Sequence, residues 1–341
     1  MLQSASINLW VVPTTAALGM ALLWEMPQWL DVLVWLAGFV GALLGLRPLD
    51  RMLGHATDWN TWARRFGVTL VAVFSAWLVF IVGAVYMPED FGSITWLTFG
   101  AACGVHVACA FGGGIWLGRR LGLIQLAPPE MRSKVIELAN RLGQPVPQVF
   151  AVESVMANAF AVAGGKFLLT TRPLLDVMSG PELESILLHE LSHLREGRLV
   201  VFSRLVGSLW LLPWMLVRPL AEVFGPLAVL LLAGWTLGIL RFNRWLNLRF
   251  ERQADRAAVE SQAESGVYAQ ALLKLHEFNL LPATFERNSQ THPDLYDRLI
   301  AAGVQPEFSR PAPAKRLGWS GHLFAGAVGI LVALTFLSGI H

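Results

Sequence analysis

Apolar residues run along this chain in long blocks, with the polar residues gathered in the gaps between them. The blocks are Ile7–Leu23, Trp29–Leu46, Val68–Met87, Ile94–Leu117, Phe202–Val217, Leu227–Leu240 and Leu323–Ile340. Each approaches the ~20 apolar residues that a helical bilayer crossing needs. The pattern predicts a mainly α integral membrane protein with about seven transmembrane helices. The fifth and sixth blocks are short and read as a hairpin that either crosses the bilayer or dips into it. No basic stretch precedes the first block, so it reads as a retained span and not as a cleaved leader.

In the longer gaps the spacing changes to that of a soluble α+β unit. Met131, Val135, Leu138 and Leu142 repeat at helical intervals over Pro129–Leu142, and Gly143 ends the run. Val149–Val152 and Lys166–Thr171 read as strands, with Asn158–Ala163 between them. Leu183, Ile186, Leu187, Leu191 and Leu194 form a wide apolar stripe. Ser179, Pro181 and Glu182 before it have the order of a capping box with an early proline. Helices are also predicted around Arg244–Glu260, Gly266–Phe278 and Pro293–Ala302. The chain thus divides into an N-terminal membrane region of about four spans (1–118), a first soluble piece (119–200), the hairpin (201–240), a second soluble piece (241–318) and a C-terminal span (319–341).

Composition agrees with the membrane reading. Hydrophobic residues make up 55% and charged residues 15%, against roughly 25% charged in soluble proteins. Arg47, Arg51, Arg64, Arg65, Arg119, Arg120, Arg241, Arg244, Lys315 and Arg316 flank the blocks on one side. The short opposite loops carry Glu25, Glu89 and Asp90, and Arg218 is the one dissenting charge. This asymmetry predicts an N-terminus and soluble pieces in the cytoplasm. The two cysteines, both in the fourth block with His106 between them, give no disulfide framework. No phosphate loop, defensible Ser-His-Asp set, nucleic-acid motif or internal repeat is present, so no nucleic-acid partner is expected.

The chemistry lies in His189-Glu190-Leu191-Ser192-His193. Two histidines one turn apart leave the same helix face and can grip one metal ion. Glu190 sits where its carboxylate reaches a water without ligating the metal. A catalytic zinc usually takes a third protein ligand. In Glu251-Arg252-Gln253-Ala254-Asp255 the two carboxylates are again four apart. Alone these would be an ordinary solvated helix face. Beside the first motif, Glu251 reads as the third ligand of one Zn2+ per chain and Asp255 as the acceptor that fixes a ligand imidazole's tautomer. Both arms lie about ten residues from the hairpin, so the metal is expected within roughly 15–20 Å of the membrane surface. Membrane-bound or unfolded proteins are the substrates this predicts.

Five motifs occur in order over about Pro129–Gly303: Asn158-Ala159-Phe160-Ala161, the strand Lys166–Thr171, His189–His193, Glu251-x-x-Ala-Asp255, and His292-Pro-Asp-x-x-x-Arg298. Together they resemble the membrane gluzincin metalloprotease family that includes the heat-shock protease HtpX and the CAAX prenyl endoprotease. The resemblance implies a zinc metalloprotease domain with His189, His193 and Glu251 as ligands and Glu190 as base. It implies that Asn158, Ala159, Phe160 and Ala161 form an edge strand pairing with substrate backbone. His292 is the candidate second electrophile, or else the start of a helix at Pro293. Arg298 is expected to hold its segment down through a carboxylate. The implied activity is hydrolysis of peptide bonds in membrane-associated or misfolded proteins, in quality control or regulated proteolysis. A prenyl-protein endoprotease or a non-catalytic scaffold of the same fold are the alternatives. The flanks differ from those of the better-known relatives, so the resemblance carries the chemistry and not the substrate choice.

Overall fold

The structure is a computed structural model describing residues 58–72, 79–80, 82–84, 86–195, 201–202, 205–206, 210–281, 293–310 and 312. The first, second and last expected spans, and His292, lie outside the described residues.

The apolar blocks within the described residues form helices α1 (Trp59–Ala72), α2 (Ser93–Ala110), α3 (Gly113–Arg120), α7 (Val217–Phe224) and the start of α8 (Leu227–Ser261). Two of these, α2 and α8, are long and apolar enough to cross a membrane. The block around Phe202–Val217 is not one straight span in its described part. A 3-10 turn occupies Leu212–Leu216, and α7 runs on past the expected boundary. Pro213 lacks the N–H that an α-helix would need there.

A larger departure is α8. A boundary is expected between the apolar block ending at Leu240 and the helix near Arg244, yet one 35-residue helix covers both. Arg241 to Arg249 brings arginines and asparagines in among Phe242, Trp245, Leu246 and Leu248, with no glycine or proline to interrupt the helix.

Alternating apolar residues make a four-stranded mixed sheet of β1 (Ile124–Leu126), β2 (Gln148–Val152), β3 (Ala159–Val162) and β4 (Phe167–Thr171). Its order is β1-β2-β4-β3, with only the β2–β4 pair parallel. β3 is therefore an edge strand, joined to the sheet through β4 alone. The remaining helices are α4 (Pro129–Arg141), α5 (Arg172–Val177), α6 (Gly180–Leu194), α9 (Val267–Phe278) and α10 (Leu295–Ala301).

Helix α6 lies between two cores. On one flank Leu187, Leu188 and Leu191 pack with Val135 and Leu138 of α4 and Leu168 of β4. On the other, Ile186 joins Tyr268 and Leu272 of α9, Leu299 of α10 and Ala157 and Ala159 beside the edge strand. The apolar helix α2 meets the β3–β4 turn at Gly165. A Cβ there would stand 2.6 Å from the Phe111 carbonyl oxygen, so only glycine lets the β3–β4 turn seat on the end of α2.

Candidate active site

The α6 helix begins as its sequence dictates. Ser179 caps it, Glu182 accepts the Ser179 N–H at 2.8 Å in a capping box, and Pro181 fits the first turn. Burial raises the Glu182 carboxyl, but hydrogen bonds from Lys274 and Ser179 outweigh this and hold it below its usual range. Fixing the helix start fixes the rotation at which His189 and His193 leave it.

Both histidines and Glu251 are buried, at 5%, 6% and 8% exposure. His189 Nε2 and His193 Nε2 are 3.3 Å apart. Glu251 Oε2 lies 3.5 Å from His189 Nε2, and Glu251 Oε1 3.4 Å from His193 Nε2. A tetrahedral zinc with bonds of about 2.05 Å requires ligand–ligand edges of about 3.3 Å. The two histidine nitrogens stand at that spacing, and the Glu251 carboxylate meets one of them with each oxygen, so one ligand atom from each of the three residues lies within 4.8 Å of the others. Two neutral nitrogens and one carboxylate oxygen are also a donor set that zinc accepts. Among the described residues, this is the group of three or more such side chains whose ligand atoms converge.

Behind the donors lies a closed polar network. His189 Nδ1 is 3.1 Å from Asp255 Oδ1 and 2.9 Å from the Tyr268 hydroxyl. With Nε2 turned to the metal position, Nδ1 carries the proton and donates it backwards. Tyr268 donates to Asp255 Oδ1 at 2.6 Å. Arg298 donates from Nη2 to Asp255 Oδ1 and from Nε to Oδ2, at 2.7 and 3.0 Å, and from Nη2 to the Tyr268 oxygen at 2.7 Å. Burial alone would raise the Asp255 carboxyl, but His189 and Arg298 hold it well below the usual carboxylate value. Burial pushes the Tyr268 hydroxyl well above its ordinary pKa, so it stays protonated and donates.

Glu190 faces the other way, toward the edge strand. Its Oε2 accepts the Ala161 N–H at 2.8 Å. Burial raises the Glu190 carboxyl above its usual value. The Thr171 N–H donates to the Asn158 carbonyl at 2.9 Å. In this antiparallel register Asn158, Phe160 and Val162 bond β4, and the main-chain groups of Ala159 and Ala161 point to the open edge.

Residues 126–303, more than half of the chain, match peptidase family M48. The chain belongs to peptidase family M48. Its sequence is 28% identical over 301 residues to "Protease HtpX homolog 1" of Streptomyces coelicolor, covering 74% of this chain and 95% of that protein. It is 26% identical over 209 residues to a "Protease HtpX homolog" of Acidiphilium cryptum, covering 53% and 72%. Over 165 residues it is 26% identical to a "Protease HtpX homolog" of Ralstonia nicotianae, covering 44% and 57%. The match thus spans less than two thirds of that last relative's length.

Within this M48 domain the structure brings the buried His189, His193, Glu251, Asp255 and Arg298 into one cluster, with the partly buried Glu190 reaching from it to Ala161. Asn158 faces β4 through its backbone, and Phe160 is exposed. His292 lies outside the described residues. Cys103, His106 and Cys109 do not converge into a second cluster of this kind. Sequence reasoning missed Tyr268. Its signal was a hydroxyl on the buried stripe of α9, which needs a polar partner wherever it is buried.

Proposed function

We propose that this chain is a membrane-embedded zinc metalloendopeptidase that cleaves membrane-associated or unfolded proteins. The observation that carries the reading is the convergence of His189, His193 and Glu251 as three buried metal-ligand side chains, with Glu190 beside them bonded to the edge strand. His189, His193 and Glu251 would hold the ion. A bound zinc supplies a Lewis acid that polarises a carbonyl and lowers the pKa of water toward ~7.

This chain's residues perform the rest. The main chain of Ala159 and Ala161 holds an extended substrate by backbone pairing, which confers little side-chain selectivity. Glu190 takes a proton from the attacking water and delivers it to the departing amine. Asp255, Tyr268 and Arg298 keep His189 in the tautomer that presents Nε2. His292 is proposed to donate to the developing oxyanion.

The membrane setting is supported by α2 and α8. Glu251 follows Leu240 by eleven residues of one helix, or about 16 Å. A site that close to the bilayer surface suits substrates that are themselves held there.

The test is cleavage of casein, and of the protein itself, by chain purified in detergent with chelator and then given zinc. Zinc-dependent cleavage in wild type, with loss of at least a thousandfold in Glu190→Gln, is the expected result. Equal activity of the two proteins would overturn Glu190 as the base. Activity in neither, with zinc bound to both, would favour the scaffold alternative.

A further inference from the structure

The open edge of β3 does not stay open. Ala157, two residues before the strand, continues the alternation: its main-chain groups point away from β4, on the side where Ala159 and Ala161 face out. There the side chain of Asn279 meets it. Asn279 Oδ1 accepts the Ala157 N–H at 2.9 Å, and Asn279 Nδ2 donates to the Ala157 carbonyl at 2.8 Å. One amide thus makes both bonds that a neighbouring strand residue would make. Asn279 follows the last turn of α9, whose start carries Tyr268, and its own N–H closes that turn on the Leu275 carbonyl. The Ala157 side of the contact is equally fixed, since Ala157 is buried in the core with Leu272.

We propose that Asn279 is a specificity-determining residue that terminates substrate pairing along the β3 edge. The proposal rests on the endopeptidase reading above. Ala161 bonds the Glu190 carboxylate, so the reacting bond lies near that end. Ala157 is four residues away, roughly 13 Å of extended chain. A substrate running along the edge finds the carbonyl of Ala161, the residue whose N–H Glu190 holds, then the main-chain groups of Ala159, and then meets the Asn279 amide. Only about four substrate residues on that side of the scissile bond have room to pair. Longer segments must leave the edge, so the site accepts a short extended stretch and gains nothing from a long one.

Two ladders of peptides test this, one lengthened residue by residue on each side of a single cleavable bond. They are run with zinc-loaded wild type and Asn279→Ala, with melting temperature and zinc content recorded for both. In wild type, kcat/KM on one of the two sides should stop rising after about four residues. In Asn279→Ala the same ladder should continue to rise to six residues, by fivefold or more, with the gain in KM. A wild-type ladder that rises past six residues on both sides overturns the proposal without reference to any variant. So does a folded, zinc-loaded Asn279→Ala whose ladder superimposes on that of wild type. Absence of zinc-dependent cleavage for every peptide would instead sink the endopeptidase reading. The same peptides carrying a fluorophore, titrated by anisotropy against Glu190→Gln, then show whether binding stops lengthening at the same point.

Discussion

Tyr268 has a single O–H, and Asp255 receives it. Its oxygen in turn accepts from Arg298 and lies within bonding distance of His189 Nδ1. Removing that hydroxyl leaves the ring packed on His189 but takes one donor from a buried carboxylate. Tyr268→Phe should fold and bind zinc about tenfold more weakly; Asp255→Asn, which removes the charge that orients His189, should lose up to about a hundredfold. Competition with a chromophoric chelator measures both. Equal affinity in Tyr268→Phe would show that the phenol only fills space. The residues that touch the metal position were legible because chemistry demands their types at fixed helical spacing. Tyr268 and Asn279 were not: Tyr268 acts through Asp255 on another helix and Asn279 through Ala157, 122 residues away, and no local pattern records such a pairing.

At the scale of the element, α6 is held by ion pairs on two flanks. Glu182 bonds Lys274 of α9, and Glu184 bonds Lys134 and Arg141 of α4, the latter two at 2.7 Å. Burial pushes the Glu184 carboxyl up, but its hydrogen bonds from Lys134 and Arg141 prevail and its pKa is lowered. A lowered folded-state pKa means the contribution is complete above the unfolded value, about 4.3, and is lost as pH falls through the folded one. Glu184→Gln should therefore melt a few degrees below wild type at pH 7, for a loss of about 1 kcal/mol. The difference should shrink toward zero below about pH 4. A gap unchanged across that range, followed by circular dichroism, would count against the ion pairs. The α6 boundaries were readable because cap, proline and stripe all agree. β1 was not, since three residues are too few to display a period of two. Its place comes instead from pairing with β2.

For the whole molecule, metal binding and folding are one equilibrium. If three buried ligands from two helices hold zinc, an ion at a hundred times its Kd adds about 2.7 kcal/mol. Chelation should lower the melting temperature by several degrees, and His193→Ala should abolish the response to added zinc. Thermal scans with and without chelator check this, and a wild-type curve indifferent to zinc would show that the donors do not bind it. The mixture of helices and strands in the M48 domain could be read from the chain, because helices and strands leave different periods. What could not be read was the continuity of α8, since the polar residues after Leu240 resemble a helix end. If α8 crosses a bilayer, as proposed, that continuity makes it a lever. Its apolar arm, 227–240, and its polar arm bearing Glu251 turn together. A tilt of 5° about the membrane surface moves a point ~16 Å away by about 1.4 Å, and displacements near 1 Å can change rates a hundredfold. Bilayer thickness sets helix tilt through hydrophobic mismatch. Reconstituted in vesicles of increasing acyl length, the enzyme should show an optimum thickness at which the third ligand closes on the other two.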